Sequence, residues 1–373
     1  MLTRIYANNF RCLVNFELHL GSVALLMGPN GAGKSTIFDL IERIRALVAD
    51  GCRVEEVFGR EYLTSWQDRH EQQFELEIAG KSEKYTYRLQ VEHHPEKRQI
   101  RVGEESLRYG ERTLFEFSAK TGKARLYRDD GSSGGDYLFD WSRSGIAALH
   151  ERPENKLLTW FKKRLGEILV VRPNPMSIGA ESREEAERPN IALTNFASWY
   201  RFLSQEHPDQ VMRFHSALRE VIPEFDVLRL RQAGEGKLLE AVFAMETPGS
   251  RRAYRLNELS DGHRALIALY ALIHCLPEGG ATLCIDEPEN FVALPEIQPW
   301  LDEFDALCSE GPHQGLLISH HPRPINLLAR EAGFWIDRSG SASPTRVRSV
   351  GAAGEEAGIA MDQLVERGWI LDD

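Results

Sequence analysis

Apolar and polar positions change period several times along this chain, and the changes predict its elements. Short alternating runs at residues 3–8 and 12–18 read as strands, and the wholly apolar run at 23–27 as a third, buried one. Ile37, Leu40, Ile41 and Ile44 then recur at helical spacing in a helix ending near Gly51. Residues 73–78, 84–91 and 99–102 alternate again and predict an antiparallel meander, with turns at 80–82 and at His93, His94 and Pro95. The Asp-, Gly- and Ser-rich stretch at 129–136 predicts a flexible loop. Pro153 opens a helix with Leu157, Phe161, Leu165 and Ile168 on one face, and Pro208 opens another carrying Val211, Met212, Phe214, Leu218 and Val221. The charged segment 177–190 between them is expected to be mobile. Strands return at 227–231 and 238–245 around a hairpin turn at 233–236. A strongly apolar helix with Leu266, Ile267, Leu269, Tyr270, Leu272 and Ile273 follows, then two buried strands ending at Asp286 and Ser319. A terminal helix is expected at 359–370, after a Gly-, Ser- and Ala-rich stretch at 338–358. No long heptad run and no internal repeat occur, which argues against a coiled-coil arm and a solenoid.

Composition narrows the classes. A chain of 373 residues can bury one large or two ordinary cores. A formal charge of -11 and a pI near 5.6 argue against a broadly basic nucleic-acid binder. Lys162, Lys163 and Arg164 therefore read as a solvated helix face rather than a DNA contact. Cys12, Cys52, Cys275, Cys284 and Cys308 are odd in number and lack metal-site spacing, so they are expected to be reduced and mostly buried. His93 and His94 read as a solvated turn, with no third ligand at a metal-binding spacing. Residues 1–6 lack a signal-peptide core, and no apolar run reaches the roughly 18 residues of a membrane span. The expectation is a cytoplasmic protein with no membrane partner.

Candidate chemistry begins at Gly28. Residues 28–36 fit G-x-x-x-x-G-K-[ST] and lie between a predicted strand and a predicted helix, the context that pattern requires. Gly28, Gly31 and Gly33 would let Asn30, Gly31, Ala32 and Gly33 wrap backbone around phosphate oxygens at a helix N-terminus. Lys34 would hold the β- and γ-phosphates, Ser35 would coordinate Mg²⁺, and Thr36 would touch the α-phosphate. Ser260 reads as an N-cap and Gly262 as a point of close backbone approach. Asp286, at a strand end, is placed to bind Mg²⁺ through water, and Glu287 to polarise the water that attacks the γ-phosphate. His320, preferred over His321, would contact the γ-phosphate. The turn at Phe10 and Arg11 is open to two interpretations, a nucleotide contact or a plain surface turn, and one of Gln67, Gln72 or Gln73 could sense Mg²⁺ and the attacking water.

In this order the chain resembles the ABC-class ATPases, specifically the soluble branch that includes SMC, RecF and OLD-like heads. The resemblance covers residues 1 to about 115 and 236–335, and rests on residues 28–36, 259–264, 285–290, Ser319 and His320. It implies an α/β P-loop NTPase head with a mixed central sheet, an N-terminal antiparallel β subdomain and a helical insertion. The implied parts are 1–115, a mainly helical lid at 116–235, and 236–373. It also implies a homodimer in which Ser260, Asp261 and Gly262 of one copy close over ATP on the other. The chain departs from the transporter-like Leu-Ser-Gly-Gly-Gln at Asp261 and His263, and from the Gly-Leu-His-Pro of relatives after Asn290. The long region before the signature makes a transporter subunit improbable. OLD proteins carry a C-terminal Toprim nuclease, whereas only a short tail follows His320 here, so any nuclease is expected on a separate effector polypeptide, as in phage-defence operons. The expected function is an ATPase that controls such a partner; the alternative is a RecF-like DNA-repair ATPase acting on DNA directly.

Overall fold

The computed structural model describes residues 1–247, 249–350 and 360–366. The chain divides into two units, Met1–Ile168 with Ala329–Ala353, and Leu169–Leu328 with Gly354–Asp373.

The first unit opens with β1 (Leu2–Asn8), β2 (Phe16–His19) and β3 (Val23–Met27). The strand expected from residue 12 starts only at Phe16. Asn9, Arg11 and Asn15 adopt left-handed φ of 63°, 48° and 47°, and the Phe10 N–H donates to Leu13 O at 3.0 Å, so residues 9–15 fold into a tight turn. Helix α1 (Lys34–Arg45) buries Ile37, Phe38, Leu40, Ile41 and Ile44, runs into one π-type turn (Ala46–Asp50) and stops at Gly51 with φ 70°. A short α2 (Val54–Val57) precedes the meander.

That meander is longer than its sequence pattern suggested: β4 (Glu71–Ala79), β5 (Lys84–His94), β6 (Gln99–Tyr109), β7 (Arg112–Ser118), β8 (Lys123–Tyr127) and β9 (Ser133–Leu138). With β1 and β2 they form an eight-stranded sheet in the order β2-β1-β4-β5-β6-β7-β8-β9. The expected flexible loop at 129–136 is in part strand β9, fastened where Arg125 Nε meets Asp136 at 2.5 Å. Asp129 in the same stretch accepts the Lys156 and Leu157 N–H groups at 2.8 and 3.2 Å. That borrowed cap starts α3 (Lys156–Gly166) three residues after Pro153, and places Leu158, Phe161 and Leu165 on its buried face. Lys162 and Arg164 are not a solvated face. Lys162 donates to the carbonyls of Ala147 and Leu149, and the buried Arg164 lies 3.7 Å from Glu167.

Ile168, expected on the helix, instead begins β10 (Ile168–Val171). The second unit continues with β11 (Glu181–Ser182), α4 (Phe196–Glu206), α5 (Pro208–Val221), β12 (Phe225–Ala233), β13 (Gly236–Ala244) and β14 (Arg251–Arg255). The β12–β13 hairpin has the expected turn, with Ala233 opposite Gly236 and Gly234 at φ 61°. On α5, Met212 is exposed, while Val211, Phe214 and Leu218 face inward. Helix α6 (Asp261–His274) is buried at every position from 265 to 273, the mark of a core helix. It is followed by β15 (Thr282–Asp286), α7 (Leu294–Ser309), β16 (Gln314–Ile318) and α8 (Pro322–Ala332). Trp300, fully buried on α7, donates from Nε1 to Leu269 O of α6 at 3.0 Å.

The chain returns to the first unit as β17 (Gly333–Asp337), parallel to β3, and β18 (Arg346–Ser349), antiparallel to β17. The sheet that holds β3, β17 and β18, separate from the eight-stranded one, is thus mixed. Of the terminal helix expected at 359–370, α9 (Met361–Glu366) is described and Ala360 lies just before it; residues 359 and 367–370, and 351–358 of the stretch before, lie outside the described residues. Cys12, Cys275, Cys284 and Cys308 are buried, and Cys52 is half-buried. Among the described residues no helix is long and apolar enough to cross a membrane.

His93 is not in a solvated turn. It is buried at the end of β5 with Nε2 3.0 Å from Gln72 Oε1, and burial, with Arg60, His70 and His94 adding to it, lowers its pKa to about 4. In the second unit, burial and Arg219 likewise lower His215 to about 4. A histidine held neutral in the fold binds fewer protons than its unfolded counterpart, whose pKa is near 6.5, so stability falls as pH falls from 6.5 to 4. Each contributes a slope of up to about 1.4 kcal/mol per pH unit. Urea unfolding between pH 7 and 4.5 should show that decline, and His93→Gln should reduce its slope by about one proton.

Candidate active site

In the first unit, β3 is buried at every position and ends at Met27, so the chain must turn sharply at Gly28. Gly28 has φ 137°, and a Cβ there would lie 1.9 Å from Ile336 O on β17. Gly33, the N-cap of α1 at φ 104°, is closed in by Thr345 Oγ1 and Cys12 Sγ, which would stand 2.6 and 2.7 Å from a Cβ. Gly31, at φ 78°, faces open space. Thr345 Oγ1 donates to Ala32 O at 2.8 Å and Arg338 Nη1 to Gly31 O at 3.3 Å, so the β17–β18 segment braces the loop. Nothing in the sequence around Gly28 announces those braces.

Lys34 is buried, and its ammonium donates to Gly28 O at 2.8 Å and Pro29 O at 3.0 Å. The first turn of α1 carries no acidic side chain. Positive-φ glycines, a helix N-terminus and a curled lysine suit a phosphate anion. Ser35 and Thr36 occupy that first turn, Thr36 N–H bonding to Gly33 O at 3.1 Å. Gly28→Ala should lose nucleotide binding and cost about 2 kcal/mol or more, since both the dihedral and the contact are forbidden to a Cβ. Thermal unfolding and nucleotide titration of the variant would check this.

Phe10 is not a nucleotide contact: it is fully buried, stacked on Tyr62 and edge-on to Phe58 and Phe74. Arg11 is engaged with Asp39 at 2.8 Å. Gln72 is buried and spends its amide on Asn9 O and Tyr62 O, at 3.0 and 3.1 Å. Gln73 lies exposed on β4, and Gln67 in a turn closed by its own N–H on Thr64 O.

In the second unit, parallel strands β15 and β16 set Asp286 opposite Ile318. Asp286 is buried, and its Oδ2 accepts Arg172 Nε at 2.8 Å and Nη2 at 2.5 Å. Glu287 follows with φ 54°, held by its N–H to Ile318 O (2.9 Å), and its Oε2 accepts Asn290 Nδ2 at 2.7 Å. A left-handed conformation costs a non-glycine residue about 1–2 kcal/mol, strain that turns this carboxylate off the strand line. Glu289 is buried and accepts Ser319 Oγ at 2.6 Å and the His320 N–H at 3.4 Å. Burial raises its pKa, so the loop after β15 and the loop after β16 are tied by a carboxyl group that resists ionising. His320 is exposed, whereas the His321 ring accepts the Arg323 N–H at 3.2 Å.

Ser260 caps α6, its Oγ accepting the His263 N–H at 3.2 Å, and Asp261 pairs with Arg264. A Cβ on Gly262 would sit 3.1 Å from Phe291 O. Phe291 and Leu294, just after the acidic strand end, are half exposed, and Phe291 has φ 73°. Gly262 thus stands beside the backbone of Phe291, whose ring is half exposed. Arg172, Glu289 and Asn290 were missed as site residues. For Arg172 a signal existed: the apolar run 168–171 ends in a charged residue, as does the run before Asp286.

A family described as "AAA domain, putative AbiEii toxin, Type IV TA system" matches residues 23–292. An OLD nuclease of Thermus scotoductus is 48% identical over 44 residues, a match spanning 12% of this chain and 8% of that protein. Among solved structures, an SMC head bound to the C-terminal winged-helix domain of ScpA superposes with a TM-score of 0.54 at 13% identity, covering 93% of this chain and 97% of the other. The SMC head of Thermotoga maritima gives a TM-score of 0.45 at 15% identity, covering 93% and 98%. The α/β fold, with its mixed central sheet, antiparallel N-terminal subdomain and helical insertions, is that of an ABC-type ATPase head.

Proposed function

The chain belongs to this AAA-domain family, and on that premise we propose that it binds ATP with Mg²⁺ and hydrolyses it, in a homodimer that closes around the nucleotide. The observation that carries the proposal is the glycine-lined loop of residues 28–33 feeding α1, with Lys34 curled over it. Backbone of Asn30, Gly31, Ala32 and Gly33 cradles the phosphates, Lys34 neutralises the β- and γ-oxygens, and Thr36 touches the α-phosphate. The hydroxyl of Ser35 and the carboxylate of Asp286 are oxygen donors of the kind Mg²⁺ prefers, and the ion would supply charge neutralisation between phosphates. Glu287 takes the proton of the attacking water, and His320 contacts the γ-phosphate and orients that water. Ser260 and Gly262 of the second copy close the site, with Phe291 and Leu294 contributing apolar surface to the same interface.

The cycle serves to control a separate effector protein, a nuclease being the class suggested by the OLD relative, in a phage-defence setting. An acidic chain with formal charge -11 supports action through a protein partner rather than through nucleic acid. The test is phosphate release by the purified protein over a range of concentrations. Activity per molecule should rise with concentration, because trans contacts in phosphoryl transfer are worth about 10³–10⁵ in rate. Release at a specific rate independent of concentration would count against the shared site.

A further inference from the structure

Arg172 has no part in the roles proposed for this site, yet it makes two short polar contacts with Asp286. Both guanidinium donors converge on one oxygen, Asp286 Oδ2, at 2.8 and 2.5 Å. The two partners differ sharply in freedom. The Asp286 side chain is 6% exposed and fixed at the end of β15, whereas the Arg172 side chain is 59% exposed. Arg172's backbone is pinned, its N–H on Ile191 O at 2.6 Å, and Pro173 follows directly. Only the side chain is left to move.

We propose that Arg172 is a built-in stand-in for the metal: its guanidinium neutralises Asp286 until Mg²⁺ arrives with nucleotide, and must swing away for the ion to be held. A buried carboxylate is costly without a cationic or hydrogen-bonding partner, which explains why the pair forms. A divalent ion with its bound water and a guanidinium cannot both occupy the space at that oxygen, for reasons of size and like charge, which explains why they compete. Loading of Mg–ATP is thereby coupled to release of one exposed cation, and the apparent Mg²⁺ requirement is set higher than the carboxylate alone would give. This inference rests on the ATPase proposal, with Asp286 as the carboxylate that meets the metal.

The test uses the full chain with Glu287→Gln, to stop turnover, and reads binding rather than activity. Retention of a fluorescent ATP analogue is titrated with Mg²⁺, and Mn²⁺ uptake is followed by electron paramagnetic resonance. Arg172→Ala and Arg172→Gln should lower the half-saturating Mg²⁺ and Mn²⁺ by about ten-fold, the size expected for removing one charge-assisted competitor. Arg172→Lys, which keeps the charge, should stay near the parent. An unchanged or raised metal requirement in both neutral variants would overturn the competition. If the parent binds no nucleotide at any Mg²⁺ concentration, the ATPase proposal falls and takes this inference with it.

Discussion

Glu287→Gln should slow ATP hydrolysis by about 10²–10⁴-fold while leaving ATP bound, because it removes a base and little else. The substitution keeps size and keeps an oxygen to accept Asn290 Nδ2, which now lies 2.7 Å from Oε2. It also leaves unchanged the left-handed backbone at φ 54° that aims the side chain. What disappears is the capacity to take a proton from water. Single-turnover hydrolysis and filter retention of labelled ATP separate the two effects; near-normal turnover would remove Glu287 from the proposed chemistry.

Lys34→Ala should act earlier, on binding. Its ammonium is buried and oriented by two carbonyls of its own loop. Truncating a buried charge that pairs with a ligand typically costs about 2–5 kcal/mol, which is about 30-fold or more in affinity. The loop itself should persist, because Gly28 and Gly33 are fixed by close packing against Ile336 and Thr345 rather than by the lysine. A melting temperature close to the parent's, together with lost ATP binding, is the expected pair of results. ATP affinity within about two-fold of the parent would contradict the assignment.

The parts legible in the sequence are those whose physics is local. The glycine-rich loop at 28–33 announces itself through glycines at fixed spacing between a buried strand and an amphipathic helix, and β15 through an apolar run ending in carboxylates. The β12–β13 turn and the Ser260 cap are likewise short-range. The parts that escaped depend on contacts far along the chain. Helix α3 starts late because Asp129, 27 residues upstream, supplies its cap. That same contact and the Arg125–Asp136 pair order a stretch whose composition reads as loop. Phe10, Lys162, Arg164 and His93 read as surface residues, but tertiary packing buries or pins them. Arg172 escaped because Ile168 completes a helical period with Leu165, and this disguised a four-residue strand. The Thr345 and Arg338 braces reach back more than three hundred residues, 313 and 307, beyond any local pattern.

A shared, ATP-closed site is the centre of this account, and molar mass in solution tests it most directly. Light scattering of Glu287→Gln with Mg²⁺ and saturating ATP should give twice the 42.4 kDa of one chain, and with ADP a single chain. A monomer that is fully loaded with ATP would contradict it.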